Sequence, residues 1–162
     1  MPLTLFKAMP ILTRPWALKR LLPWWPPYWG TGIKVDYVAE DYREIVVGMK
    51  LSWYNRNYVG THFGGSLFAM TDPFYMLMTH KALGNQYYVW DKAGCIDFIK
   101  PGLSKVTARF VLTDAMLEDI RRNTAGGDKY FVEFRVEIKD ETGELIAEVV
   151  RTLYIRKKKE FR

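Results

Sequence analysis

Asn55-Arg-Asn-Tyr-Val-Gly-Thr-His-Phe-Gly-Gly-Ser-Leu-Phe-Ala-Met-Thr-Asp-Pro-Phe-Tyr-Met-Leu-Met-Thr79 is the stretch on which the fold turns. A polar, glycine-rich loop runs directly into an apolar segment, Gly65–Leu83. That segment is too long for one strand and reads as a buried helix. Gly84-Asn85 closes it as a left-handed C-terminal cap would. One carboxylate, Asp72, stands among Leu, Phe and Met. Burying an unpaired carboxylate costs several kcal/mol or shifts its pKa, so Asp72 needs a reason to be there. Capping is one: Asp72 as N-cap and Pro73 at the first helical position would satisfy N–H groups near Tyr75. Chemistry is the other. The helix then runs through Asp72, and Pro73 bends it and frees the Ala69 carbonyl.

Outward from this segment the period changes from helical to alternating. Ile33–Val38 and Glu44–Trp53 read as strands; Ile45, Val47, Met49, Leu51 and Trp53 share one face. Tyr87–Trp90 and Gly94–Ile99 are strand material, closed by Lys100-Pro-Gly102, and Val106–Leu112 is a further strand. Thr113 or Asp114 caps a short helix through Arg122, or Leu112–Arg122 is a loop. Tyr130, Val132, Phe134, Val136 and Ile138 alternate with polar residues up to a turn at Asp140–Gly143. Leu145–Ile155 is apolar on both faces except Glu148 and Arg151, which places it inside the sheet. A helix apolar nearly all round must be wrapped on most sides. The pattern therefore predicts an α+β fold: a curved antiparallel sheet of about six strands around one long central helix.

The domain expected at 31–162 is preceded by an aromatic, proline-rich arm at 1–30. Leu3, Phe6, Ile11, Leu12, Trp16, Leu18, Leu21 and Leu22 form amphipathic helical pieces interrupted by Pro10 and Pro15. Leu22–Gly30, with its prolines, is expected to be extended or turning. Basic residues, leucines and tryptophans over residues 16–29 fit peripheral contact with a membrane surface. An arm packed on the domain or on a second subunit is the favoured reading, because aromatic-rich segments rarely stay exposed.

Composition narrows the class. The chain has 162 residues, enough for one domain with a core, and a formal charge of +6. Lys7, Arg14, Lys19, Arg20 and Lys34 precede the first acid, Asp36, and Arg156–Lys159 crowd the other end. Such runs are solvated faces or attract an anion: a phosphate-rich cofactor, an acidic membrane or a nucleic acid. No nucleic-acid-binding motif is visible, so no nucleic-acid partner is expected. The single cysteine, Cys95, excludes an internal disulfide framework and a cysteine zinc site, and is expected as a core thiol. It fits a reducing, cytoplasmic setting. Neither a signal peptide nor an apolar run of about 20 residues is apparent.

Gly64 and Gly65 fall where the helix begins. N–H groups there are free and lie at the positive end of the dipole, a place for a carbonyl oxygen that is becoming an oxyanion. Gly65 and Asp72, seven residues apart, lie on nearly the same face, so the carboxylate can serve as base or nucleophile. His62 is a general-base candidate or a hydrogen-bonded loop residue. His80 lies near the helix end, where a cation suits the dipole. Ser66 lacks the context of a hydrolase elbow.

Asn57 … Gly60-Thr-His-Phe-Gly-Gly-Ser-Leu-Phe-Ala-Met-Thr-Asp72, followed by Ile96-Asp-Phe-Ile-Lys-Pro-Gly102, resembles the active-site helix and following strand of hotdog-fold acyl-CoA thioesterases of the phenylacetyl-CoA thioesterase-like clade. The resemblance spans roughly Ile33–Arg156. It implies that the Gly64 N–H binds the thioester carbonyl and that Asp72 is nucleophile or general base. Asn57 would position water or the carbonyl, with Gly65, His62, Phe63 and Phe68 around the substrate. It further implies a site between subunits of a dimer or dimer of dimers, and no cofactor or metal beyond the coenzyme A of the substrate. The family commonly has His immediately before the glycine pair. Here that place is Phe63, with His62 one residue earlier. Two other functions fit the same resemblance: a 3-hydroxyacyl-thioester dehydratase using His62, and a non-catalytic acyl- or lipid-binding module.

Overall fold

Alternation along the chain builds one sheet. The computed structural model describes residues 14–162; the segment around Leu3, Phe6, Ile11 and Leu12 lies outside the described residues. Strands β1 (Ile33–Val38), β2 (Glu44–Met49), β3 (Tyr87–Phe98), β4 (Val106–Val111), β5 (Tyr130–Asp140) and β6 (Leu145–Lys157) form a six-stranded sheet in the order β1-β2-β4-β5-β6-β3. Every neighbouring pair is antiparallel. β6 is interior, between β5 and β3, as its two apolar faces require. Its Val149, Leu153 and Ile155 point inward with Phe134, Val136 and Ile138 of β5. Helix α5 (Asp114–Thr124) is a true helix, capped by the Thr113 hydroxyl, which accepts from the Met116 N–H at 3.2 Å.

The apolar segment is wrapped by this sheet but is two helices, α3 (Gly64–Ala69) and α4 (Phe74–Leu83). The expected single helix Gly65–Leu83 is thus interrupted at Met70–Pro73, where the peptide before Pro73 is cis. Gly84 closes α4 at φ +68°. In α4, Phe74, Tyr75 and Met78 fill the core against Phe110 and Phe134; the Tyr75 and Phe134 rings stack 4.5 Å apart.

Two further expectations, the end of β2 and the burial of Cys95, are corrected. β2 stops at Met49 instead of Trp53, because Asn55 pulls the chain out of the sheet. Its Oδ1 accepts from Ser52 N at 2.7 Å, and its Nδ2 donates to the Thr31 and Lys50 carbonyls at 2.8 Å each. Of the two readings of Leu22–Gly30, extended or turning, the segment takes the second: a 3-10 turn (Leu22–Trp24) and the single turn of α2 (Pro26–Trp29) form, since their prolines occupy first positions, where no N–H is needed. Cys95 is exposed, not a core thiol. It lies on the C-terminal half of β3, at the sheet edge, where residues 92–95 are exposed.

Residues 14–30 pack onto this body by one face. Helix α1 (Pro15–Leu21) lies against β1 and buries Ala17 and Leu18. Leu22 and Tyr28 follow them into the core. The tryptophans of the segment stay outside.

Candidate active site

The loop before α3 is shaped by Asn57. Its Oδ1 accepts from the N–H groups of Val59 (3.1 Å) and Thr61 (3.0 Å), and its Nδ2 donates to Thr61 Oγ1 (2.9 Å) and the His62 carbonyl (3.3 Å). All four bonds stay within residues 57–62, so the amide holds the loop that delivers Gly64. His62 is buried, and its Nε2–H donates to the Ser104 carbonyl at 2.8 Å. Its Nδ1 is buried without a partner, and burial pushes the ring pKa down. A neutral ring is the consequence, tying the loop to residues 102–104. His80 is likewise held toward neutrality, by burial and by the charges of Lys158 and Lys81.

Phe63, extended at φ −66° and ψ 125°, precedes α3 and is more than half exposed. Its carbonyl accepts from Ser66 N (2.9 Å) and Leu67 N (3.1 Å). The Gly64 and Gly65 N–H groups belong to the first turn, which has no backbone acceptors of its own. Both glycines lie against aromatic rings. A Cβ on Gly64 would stand 2.8 Å from the Phe98 ring, and one on Gly65 would stand 2.5 Å from that of Phe63. A side chain at the start of α3 would have to displace the ring of Phe98, on the sheet edge, or that of Phe63.

Asp72 caps no helix. α4 begins at Phe74 without any side-chain cap, and the Asp72 carboxylate turns the other way, toward β6. There Arg151 Nη1 donates to Asp72 Oδ2 at 3.2 Å. The guanidinium also reaches Thr71 Oγ1 through Nε (3.2 Å) and Nη2 (3.0 Å), and the Phe68 carbonyl through Nη2 (3.0 Å). It lies 4.2 Å over the Phe68 ring. Gly94 makes room below, since a Cβ there would meet that ring at 2.7 Å. The two partners differ in exposure: the Arg151 side chain is 5% exposed and that of Asp72 is 44%. Arg151 is thus the buried anchor, and Asp72 presents its remaining oxygen outward.

The break itself has a second support. Tyr28 Oη donates to the Asp72 carbonyl and to the Ala69 carbonyl (3.3 Å), and Ala69 also accepts from Asp72 N (3.1 Å). The carbonyls released by the interrupted helix are satisfied from the N-terminal arm on one side and from β6 on the other.

A third charged group faces this cluster. Asp91 sits where the β3–β6 register shifts and pairs with the inward-facing Leu153. Its carboxyl is pushed up from 3.8 to about 6, first by burial and then by the charge of Asp72, with Arg151 opposing. Sequence reasoning missed Tyr28, Asp91 and Arg151. Arg151 carried a signal, because it has the parity of the inward Val149, Leu153 and Ile155. Among the described residues, no group of His, Cys, Asp and Glu side chains is arranged to hold a metal ion.

A protein-family model described as Domain of unknown function (DUF4442) matches residues 14–155. No curated protein matches the chain. Solved structures share the fold. Pseudomonas aeruginosa PA5026, a protein of unknown function described as a probable thioesterase, superposes with a TM-score of 0.75 at 17% identity, over 89% of this chain and 97% of that one. Haemophilus influenzae thioesterase HI1161 gives 0.63 at 19% identity, over 87% and 89%. A point mutant of the phenylacetic acid degradation protein PaaI from Thermus thermophilus gives 0.54 at 24% identity, over 76% and 93%. The architecture is the hotdog fold.

Two measurements follow from the cluster. Arg151→Met removes the donors of Thr71 and of the Phe68 carbonyl, and urea unfolding should show a loss of about 3 kcal/mol. The folded Asp91 carboxyl keeps its proton to about pH 6, whereas an unfolded one loses it near 3.8. Between those values the folded state binds more protons, so stability falls as pH rises and levels off above about 6. Unfolding curves of wild type against Asp91→Asn should differ by this slope, with the variant lacking it.

Proposed function

The chain belongs to the family described as Domain of unknown function (DUF4442) and has the hotdog fold, and on that premise we propose that it hydrolyses acyl-CoA thioesters. The observation that carries the reading is the disposition of Asp72. Its carboxylate performs no capping, keeps 44% of its side chain exposed, and follows a glycine pair at the start of α3. A carboxylate in the break that follows α3, with free N–H groups at the start of that helix, suits attack on a carbonyl whose oxygen becomes negative.

In this mechanism the Gly64 N–H donates to the thioester oxygen. Water adds to the carbonyl carbon while Asp72 takes its proton, or Asp72 attacks directly and water then resolves the anhydride. The carbon–sulfur bond breaks and the coenzyme A thiolate leaves and is protonated. Phe63, Gly65 and Phe98 border the reacting carbon and keep bulk water from it. Arg151 is a positioning residue: its bond to Oδ2 fixes the Asp72 rotamer. Asn57 and His62 act through the loop they hold, and Phe68 acts as the surface on which the guanidinium rests.

A second copy completes the site. Phe98 over Gly64 is 58% exposed, and β3 ends the sheet with an unpaired edge, an arrangement that pairs readily with another strand. The copies meet along this edge.

The Asp72→Asn variant should retain its secondary structure and lose at least about 100-fold in kcat on an acyl-CoA panel; equal turnover would remove Asp72 from the chemistry. Light scattering should report a dimer for the wild type. The Cys95→Lys/Asp97→Lys variant should be monomeric and should have lost hydrolysis as well.

A further inference from the structure

The N-terminal arm has two unlike faces. Ala17, Leu18, Leu22 and Tyr28 are buried on the body. On the other side, Trp24 is 74% exposed, Trp29 69%, Trp16 50% and Trp25 46%, with Leu21 beside them. The segment is short and rigid: α1, a 3-10 turn and α2 follow one another with prolines at their starts. Its tryptophans project away from the body. Arg14, Lys19 and Arg20 are exposed on the same segment, and none of them takes part in an ion pair among the described residues. No acid occurs before Asp36.

From this we infer that residues 14–30 form a docking surface for an anionic lipid bilayer. Four exposed indoles within 14 residues (16–29) make an apolar patch of a kind that soluble surfaces avoid. Indole is the side chain that settles at the water–lipid boundary, where its ring is apolar and its N–H still meets polar headgroups. The three cations supply attraction to acidic headgroups. Charge also argues against a second copy as the occupant, because a two-fold interface would set these like charges against themselves. Among the described residues no helix is long and apolar enough to cross a membrane, so the contact is peripheral. The same arm sends the Tyr28 hydroxyl to the carbonyls of Ala69 and Asp72, so the bilayer contact and the helix break share one rigid piece. The inference stands independently of hydrolysis, because lipid binding is measured without turnover.

The test is flotation of the full chain with phosphatidylcholine vesicles, with and without phosphatidylglycerol, beside Trp24→Ser/Trp25→Ser/Trp29→Ser and Lys19→Glu/Arg20→Glu variants. Far-UV circular dichroism verifies that both variants are folded. The wild type should float with the mixed vesicles, less so as salt rises, and its tryptophan emission should shift to the blue. The tryptophan variant should lose at least about tenfold in partitioning, and the charge-reversed variant should lose binding chiefly to the mixed vesicles. Absence of flotation by the wild type, or equal flotation by the tryptophan variant, overturns the proposal. So does a tryptophan variant that alters only the oligomeric state, which would assign the patch to a second copy.

Discussion

A buried guanidinium governs the centre of this molecule. Arg151 points from an interior strand into the space that the helix occupies, and a cation there must be met by charge and by hydrogen-bond acceptors. An unbroken helix offers few acceptors in its middle, because its carbonyls are committed to its own N–H groups. The interruption between α3 and α4 supplies them: the Phe68 carbonyl, the Thr71 hydroxyl and the Asp72 carboxylate all come from that short passage. The space beneath follows from the same demand. Phe68 lies flat under the cation, and Gly94 of β3 carries no side chain to contest it. Cation and break each make the other affordable.

The sheet was legible from the sequence because its determinants are local. Strict alternation in Tyr130–Ile138 and apolar residues on both sides of Leu145–Ile155 state, within a dozen residues, which strand has one covered face and which is interior. The helix break was not legible in that way. Pro73 and Asp72 are compatible with a cap, a kink or an interruption, and the groups that select among these lie 44 residues before Asp72 and 79 after it. Parity along β6 places a charged residue in the core, but a pattern of parity carries no partner's name. Cys95 failed for a related reason. Gly94-Cys-Ile reads as buried strand, yet β3 is an edge, and edges are fixed by strand order, which no single segment encodes.

The arm shows how one sequence can satisfy two readings at once. Packing on the domain and leaving the aromatic side chains in solvent looked like alternatives while the segment was treated as a unit. They become compatible once residues are sorted by face: Leu18, Leu22 and Tyr28 turn in, and the tryptophans turn out. Prolines at the starts of its short helices keep that sorting, since they fix the direction in which each turn leaves.

Strand order also bears on how the chain is made. β6 is the last strand to leave the ribosome, but it lies between β5 and β3, and β3 has no other neighbour in the sheet. Until residues 145–157 have emerged, β1, β2, β4 and β5 can assemble as one ribbon while β3 waits unpaired. Arg151 arrives on that same final strand. Closure of the sheet, attachment of its edge and the setting of the Asp72 carboxylate therefore all wait on the same strand.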